Sequence, residues 1–133
     1  YVAGAGGLLG LHSCTVVVEE GREYVELMGG RFAHHSPYHE FAVCVTDATH
    51  PVAVGVADFA LQDELYVLDR EPVGAMVLAT AEWEGRAQPM VYAKSFGRGH
   101  VCYNALGHDA VAFNHPAFRQ LVVQGARWAA GLT

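Results

Sequence analysis

Histidines and acidic residues collect at the places in this chain where short apolar segments give way to turns. His12 ends the glycine-flanked run GGLLGLHSCT (residues 6–15). His34, His35 and His39 crowd the segment RFAHHSPYH (31–39), and His50 stands before Pro51. Asp63 and Glu64 open DELY (63–66), and His108 and Asp109 close LGHD (106–109). Imidazole titrates near neutral pH and ligates divalent transition metals. A carboxylate beside it can orient the ring, complete a metal shell or act as a general base. Metal binding and proton transfer are therefore the two chemistries on offer. Spacing alone selects neither, because the chain has no H-x-x-x-H pair on a helix and no paired C-x-x-C. Each group also has a plain alternative. A single histidine is often just solvated, and His50-Pro51 and Asp63-Glu64 both suit turns. His34 and His35 point opposite ways if extended, so at most one serves a site. His100 falls inside a predicted strand, and His115 at a helix entry.

The elements that must position these groups read as follows. Residues 8–11 form a short buried strand. Ser13 caps a helix over 14–28 that Gly29-Gly30 stops, with a strand at 15–18 as the competing reading. Residues 31–39 are a loop, 40–46 a strand, 52–63 irregular and 64–68 a short strand. The segments 75–82, 90–95 and 100–106 make an antiparallel meander. Residues 107–114 are a loop, and a helix starts at Pro116, entered from Asn114 or His115. Its apolar face is Phe118, Leu121, Val122, Gly125, Trp128 and Ala129. This order predicts an α/β fold, a three-layer α/β/α sandwich with a mostly parallel sheet and an antiparallel extension. In such sheets ligands bind beyond the carboxyl ends of the strands. His12, His50 and His108-Asp109 each follow a predicted strand, so several of these groups could share one rim.

Bulk properties narrow the partners. The chain has 133 residues, enough for one domain, 52% of them hydrophobic. A net charge of −6 and the lack of a basic patch argue against nucleic acid. No apolar run is long enough for a membrane span. Cys14, Cys44 and Cys102 read as free thiols in a reducing compartment, hence a cytoplasmic location. GRGH (97–100) lacks the Lys-Ser/Thr of a phosphate loop, GAGG (4–7) matches a dinucleotide loop only superficially, and no G-x-S-x-G is present.

Seven short motifs occur in order: GGLLGLHS (6–13), MGGRFAHH (28–35), HPV (50–52), DELY (63–66), FGRGHVCY (96–103), LGHD (106–109) and WAAG (128–131). Together they resemble the ThuA-like (trehalose-utilisation) family. The resemblance implies a flavodoxin-like fold related to class I glutamine amidotransferases. In that superfamily the first such strand-to-helix elbow carries a nucleophilic cysteine. Here His12 stands at the elbow and Cys14 lies two residues later, so glutaminase activity is not expected. A role in trehalose, glycoside or 3-keto-glycoside catabolism is implied, by a hydrolase or lyase. A 3-keto group acidifies the neighbouring C–H, so a general base can start elimination of the glycosidic bond. Carried over onto the matching motifs, His12, Glu64, His108 and Asp109 are the catalytic candidates. His12, His35, His50 and His108 are the candidate ligands of a divalent metal, zinc by preference. His35 is preferred to His34 because the family's histidine stands three residues after the phenylalanine, here Phe32. A non-catalytic sugar-binding or regulatory domain, or an inactive fragment, is the alternative. The expected partners are a small sugar or glycoside and either a second copy or another chain that completes the sheet. That last expectation follows from the start at Tyr1, where the resemblance leaves out an N-terminal strand-helix-strand portion of a single domain spanning 1–133.

Overall fold

Short apolar runs broken by Gly, Pro and Asp make most of this chain extended. The computed structural model describes residues 1–17 and 21–132. Its strands are β1 (Gly7–Leu11), β2 (Phe32–His35), β3 (His39–Val45), β4 (Phe59–Asp63), β5 (Tyr66–Leu68), β6 (Ala75–Trp83), β7 (Arg86–Phe96) and β8 (Gly99–Asn104). Its helices are α1 (Arg22–Met28), α2 (Ala110–Asn114) and α3 (Pro116–Ala129). Six strands form one mixed sheet in the order β1-β8-β7-β6-β3-β4, and β2 and β5 pair as a separate antiparallel ribbon.

The sheet is mostly antiparallel, which corrects the expected parallel one. Only β1 and β8 run parallel, while β8–β7, β7–β6, β6–β3 and β3–β4 are all antiparallel. The reason is in the connections. Parallel neighbours need a crossover of a dozen or more residues, usually through a helix. β6 and β7 are joined by Glu84 and Gly85 alone, both at positive φ as a two-residue hairpin requires. β3 and β4 are joined by turns, without a helix.

Helices cover the sheet from both sides. The Tyr92 hydroxyl donates to the Met28 carbonyl at the end of α1, at 2.7 Å. Cys102 points the other way, towards α3, which buries Phe118, Leu121, Gly125 and Ala129. Between them Val43, Leu78, Met90, Val91, Val101 and Leu106 are fully buried. Among the described residues, no helix is long and apolar enough to cross a membrane.

Several elements differ from the sequence reading. The expected helix over 14–28 is a 3₁₀ turn (His12–Thr15) followed by the shorter α1; its residues 18–20 lie outside the described ones. Ser13 sits inside that turn rather than capping a helix. Residues 32–35, read as loop, form β2, and 59–63, read as irregular, form β4. Residues 110–114, also read as loop, form α2. Short strands that pair with distant segments carry too little local pattern to stand out.

Close packing at the elbow depends on Gly10. A Cβ there would stand 2.5 Å from Cys14 Sγ and 2.8 Å from Met28 Cε. Gly10→Ala is expected to destabilise the chain by about 1–3 kcal/mol through overpacking, measured as a lower urea midpoint with unchanged slope.

Candidate functional site

Strand direction decides which groups meet. β1 and β8 point the same way, and the alternating pairs make β4 parallel to them and β3 opposed. The carboxyl ends of β1, β4 and β8 therefore lie at one rim, which brings His12, Glu64 and His108 together.

His12 is the buried member, 8% exposed, at a strained elbow with φ of 41°. Its Nδ1 donates to the Ala105 carbonyl just past β8, at 2.9 Å. A carbonyl can only accept, so Nδ1 carries a proton, and in the neutral form of the ring Nε2 presents a lone pair. That Nε2 is buried without a hydrogen-bond partner among the described residues. It lies 3.6 Å from Glu64 Oε2. Tyr66 packs on the ring at 4.0 Å between centroids, and the Tyr103 hydroxyl donates to the His12 carbonyl.

Glu64 is the hub of the rim. His108 Nδ1 lies 3.1 Å from Glu64 Oε2, and His35 Nδ1 lies 3.8 Å from Oε1. The His12, Glu64 and His108 donor atoms all fall within 4.8 Å of one another. His35 Nδ1 donates to the Ser36 carbonyl at 2.7 Å, and His35 stands outside the group of three whose donor atoms converge. His35 and His108 are each 42% exposed at the side chain, which opens the rim to solvent.

The family model for ThuA, described as trehalose utilisation, matches residues 1–129. The chain belongs to the ThuA family. A ThuA-like protein from Parabacteroides merdae ATCC 43184 superposes with a TM-score of 0.83 at 23% identity, over 98% of this chain and 62% of that one. A ThuA-like protein from Bacteroides uniformis ATCC 8492 also gives 0.83, at 22% identity over 97% and 60%. A cytoplasmic protein from Salmonella typhimurium LT2 gives 0.66 at 19% identity over 99% and 56%. The chain thus spans about three fifths of the length of the solved structures it matches best here. At these identities the likeness is one of fold. No curated protein matches the chain.

In this ThuA-family chain the other candidates have different placements. Asp109 is the N-cap of α2, accepting from the Val111 and Ala112 amides. It also accepts from the Tyr38 hydroxyl at 2.9 Å. Desolvation pushes its carboxyl up, but the Tyr38 bond, the two amides and His108 together hold it below the usual value. Asp109 therefore holds the turn after His108. Asp63, which the sequence reading mentioned without a role, is fully buried. Its carboxylate accepts from the Glu64, Gly107 and His108 amides at 2.8, 2.7 and 3.1 Å. The signal for it was present: an acidic residue at the end of an apolar strand has to be paired. Cys14 lies in the 3₁₀ turn and not in a helix, and burial pushes its thiol up to about 11, which disfavours the thiolate.

His50 does not join the rim. It follows β3, and because β3 is opposed to β8 its carboxyl end lies at the other end of the sheet. His50 packs on Trp128 at 5.3 Å, and Trp128 packs in turn on His100, which pairs with Gly7 at the start of β1. Burial there lowers the His50 pKa from 6.5. The folded state then binds fewer protons than the unfolded one, so this stability is present above pH 6.5 and lost as pH falls below it. His50→Gln is expected to flatten the pH dependence of the urea midpoint between pH 7 and 5, and to leave activity within about twofold, since surface changes away from a site are near neutral.

Proposed function

We propose that this ThuA-family chain processes a neutral glycoside, in its 3-keto form, at the rim formed by His12, Glu64 and His108. One observation carries the reading: the partnerless, nearly buried Nε2 of His12, its tautomer set by Ala105, facing a carboxylate and a second imidazole. A polar atom buried without a partner is costly unless a ligand satisfies it. A sugar hydroxyl donating to Nε2 would do so. The family description, trehalose utilisation, supplies the substrate class.

The reaction is an elimination. Glu64 takes the proton from the carbon beside the ketone. That C–H pair becomes the new carbon–carbon double bond, and the glycosidic C–O bond breaks. His108 gives a proton to the departing alcohol oxygen, and His12 positions the ring through a hydroxyl. Three carboxylates, Asp63, Glu64 and Asp109, and no lysine or arginine take part in the contacts described at the rim. That charge favours unphosphorylated sugars. A cytoplasmic location fits the three free thiols.

The second reading is a divalent ion held by His12 Nε2, Glu64 and His108. It is favoured by the mutual 4.8 Å spread of their donor atoms and by the Nδ1–carbonyl bond that orients His12. Two histidines and a glutamate suit zinc with an open position, where it would polarise a ketone oxygen. Incubation with 3-keto and unoxidised glycosides, with elemental analysis of the untagged protein, tests both. Cleavage of the keto form by metal-free protein supports acid/base chemistry, and one equivalent of bound metal, lost in Glu64→Gln, supports the ion. The absence of both cleavage and sugar binding would remove the proposal.

A further inference from the structure

Resting on the reading of the rim as a glycoside site, we propose that Tyr38 and Phe113 form the subsite that takes the second sugar ring, the one beyond the bond that breaks. Both are large apolar side chains left in solvent, 43% and 47% exposed. Both hold the same turn, Gly107–Asp109, which carries His108. Tyr38 approaches it from before β3: its hydroxyl donates to Asp109, and its ring lies 5.9 Å from that of His108. Phe113 approaches from α2 and packs edge-on against Phe118 at 4.9 Å. The Phe113 ring edge comes so close to Gly107 that a Cβ there would meet it at 3.3 Å.

Two exposed aromatic rings on one turn suit carbohydrate: Tyr38 lies against His108, and Phe113 against Gly107 beside it. The C–H face of a pyranose is apolar and packs on an aromatic face, while its hydroxyls need polar neighbours. Asp109, His108 and Glu64 supply those neighbours within the same turn and the strand end beside it. Tyr38 is also oriented at its far end by Asp109, so the ring is held in place before a sugar arrives. A preorganised ring loses little freedom on binding. The inner sugar, at His12, has Tyr66 against the histidine instead, with Tyr66 itself buried. The exposed rings are therefore those available to the outer one.

The test compares a 3-keto disaccharide with a 3-keto methyl glycoside, which has no second ring. Tyr38→Ala and Phe113→Ala are each expected to raise KM for the disaccharide about tenfold more than KM for the methyl glycoside, with any loss of kcat through the Gly107–Asp109 turn shared equally by the two substrates. Tyr38→Phe, which keeps the ring and drops the orienting bond to Asp109, should raise the disaccharide KM by no more than about threefold. Equal KM increases for both substrates would overturn the subsite, as would no increase, or a Tyr38→Phe effect as large as that of alanine. If the parent chain turns over neither substrate, the rim reading fails as chemistry and saturation-transfer NMR with trehalose decides the subsite. Transfer lost in both alanine variants supports it, and absent or unaltered transfer overturns it.

Discussion

His12→Ala is expected to lower kcat/KM on a 3-keto glycoside by about 10²-fold, the usual cost of letting a substrate slip from its reacting geometry. The side chain is 8% exposed, its Nδ1 proton is committed to Ala105, and its Nε2 has nothing to bond among the described residues. A purely structural histidine in that position would be expected to satisfy both nitrogens. Loss of the Ala105 bond and a non-glycine residue at φ of 41° together put stability at risk by about 1–3 kcal/mol. His12→Asn therefore serves as the second variant, since asparagine tolerates the left-handed region. Steady-state kinetics with circular dichroism separates the effects. A folded His12→Asn chain with parental kcat/KM would remove His12 from the chemistry, whichever group then proves to move the proton.

Asp63→Ala is expected to be the most destabilising single change at the rim. Three amides, those of Glu64, Gly107 and His108, point at this fully buried carboxylate. Alanine would leave all three without an acceptor, at about 1–3 kcal/mol each if none finds water. A loss of roughly 3–5 kcal/mol would lower the melting temperature by on the order of 10 °C. It would also release the Glu64 and His108 backbones from each other, so activity should fall by more than the folded fraction alone explains. Asp63→Asn keeps one acceptor oxygen but turns an NH₂ towards an amide, and should fall between the two. Thermal melts and kcat measured well below the melting point check this. A melting temperature within about 2 °C of the parent would show that these amides are not held by Asp63.

Part of the candidate rim was legible from residue order alone. His12 and His108 follow predicted strands, and the rule that sites sit at strand ends brought those two forward. Glu64 opens a segment read as a strand and came forward only with the DELY motif of the ThuA resemblance. The same rule misplaced His50, because it depends on strand direction. The segment 40–46 reads as a strand either way, and only its pairing with β6 shows that its end faces the opposite rim. The capping role of Asp109 was hidden for a related reason. Its neighbours in sequence suggest a loop, while the α2 amides that it caps exist only once residues 110–114 form a helix.

What the sequence by itself determined, then, is the family and the candidate side chains. Seven motifs in order carry the ThuA resemblance, and histidine at position 12 stands where that resemblance would place a thiol nucleophile. Only the tertiary structure decided which of those side chains meet. A strand's alternating pattern is the same in either direction, so the mostly antiparallel sheet could not be read from it. The His12 tautomer likewise depends on Ala105, which is 93 residues away in the chain. Local pattern records burial and turn chemistry. The pairing of distant segments, and with it the geometry of His12, Glu64 and His108, is settled by hydrogen bonds and packing that form only in the folded chain.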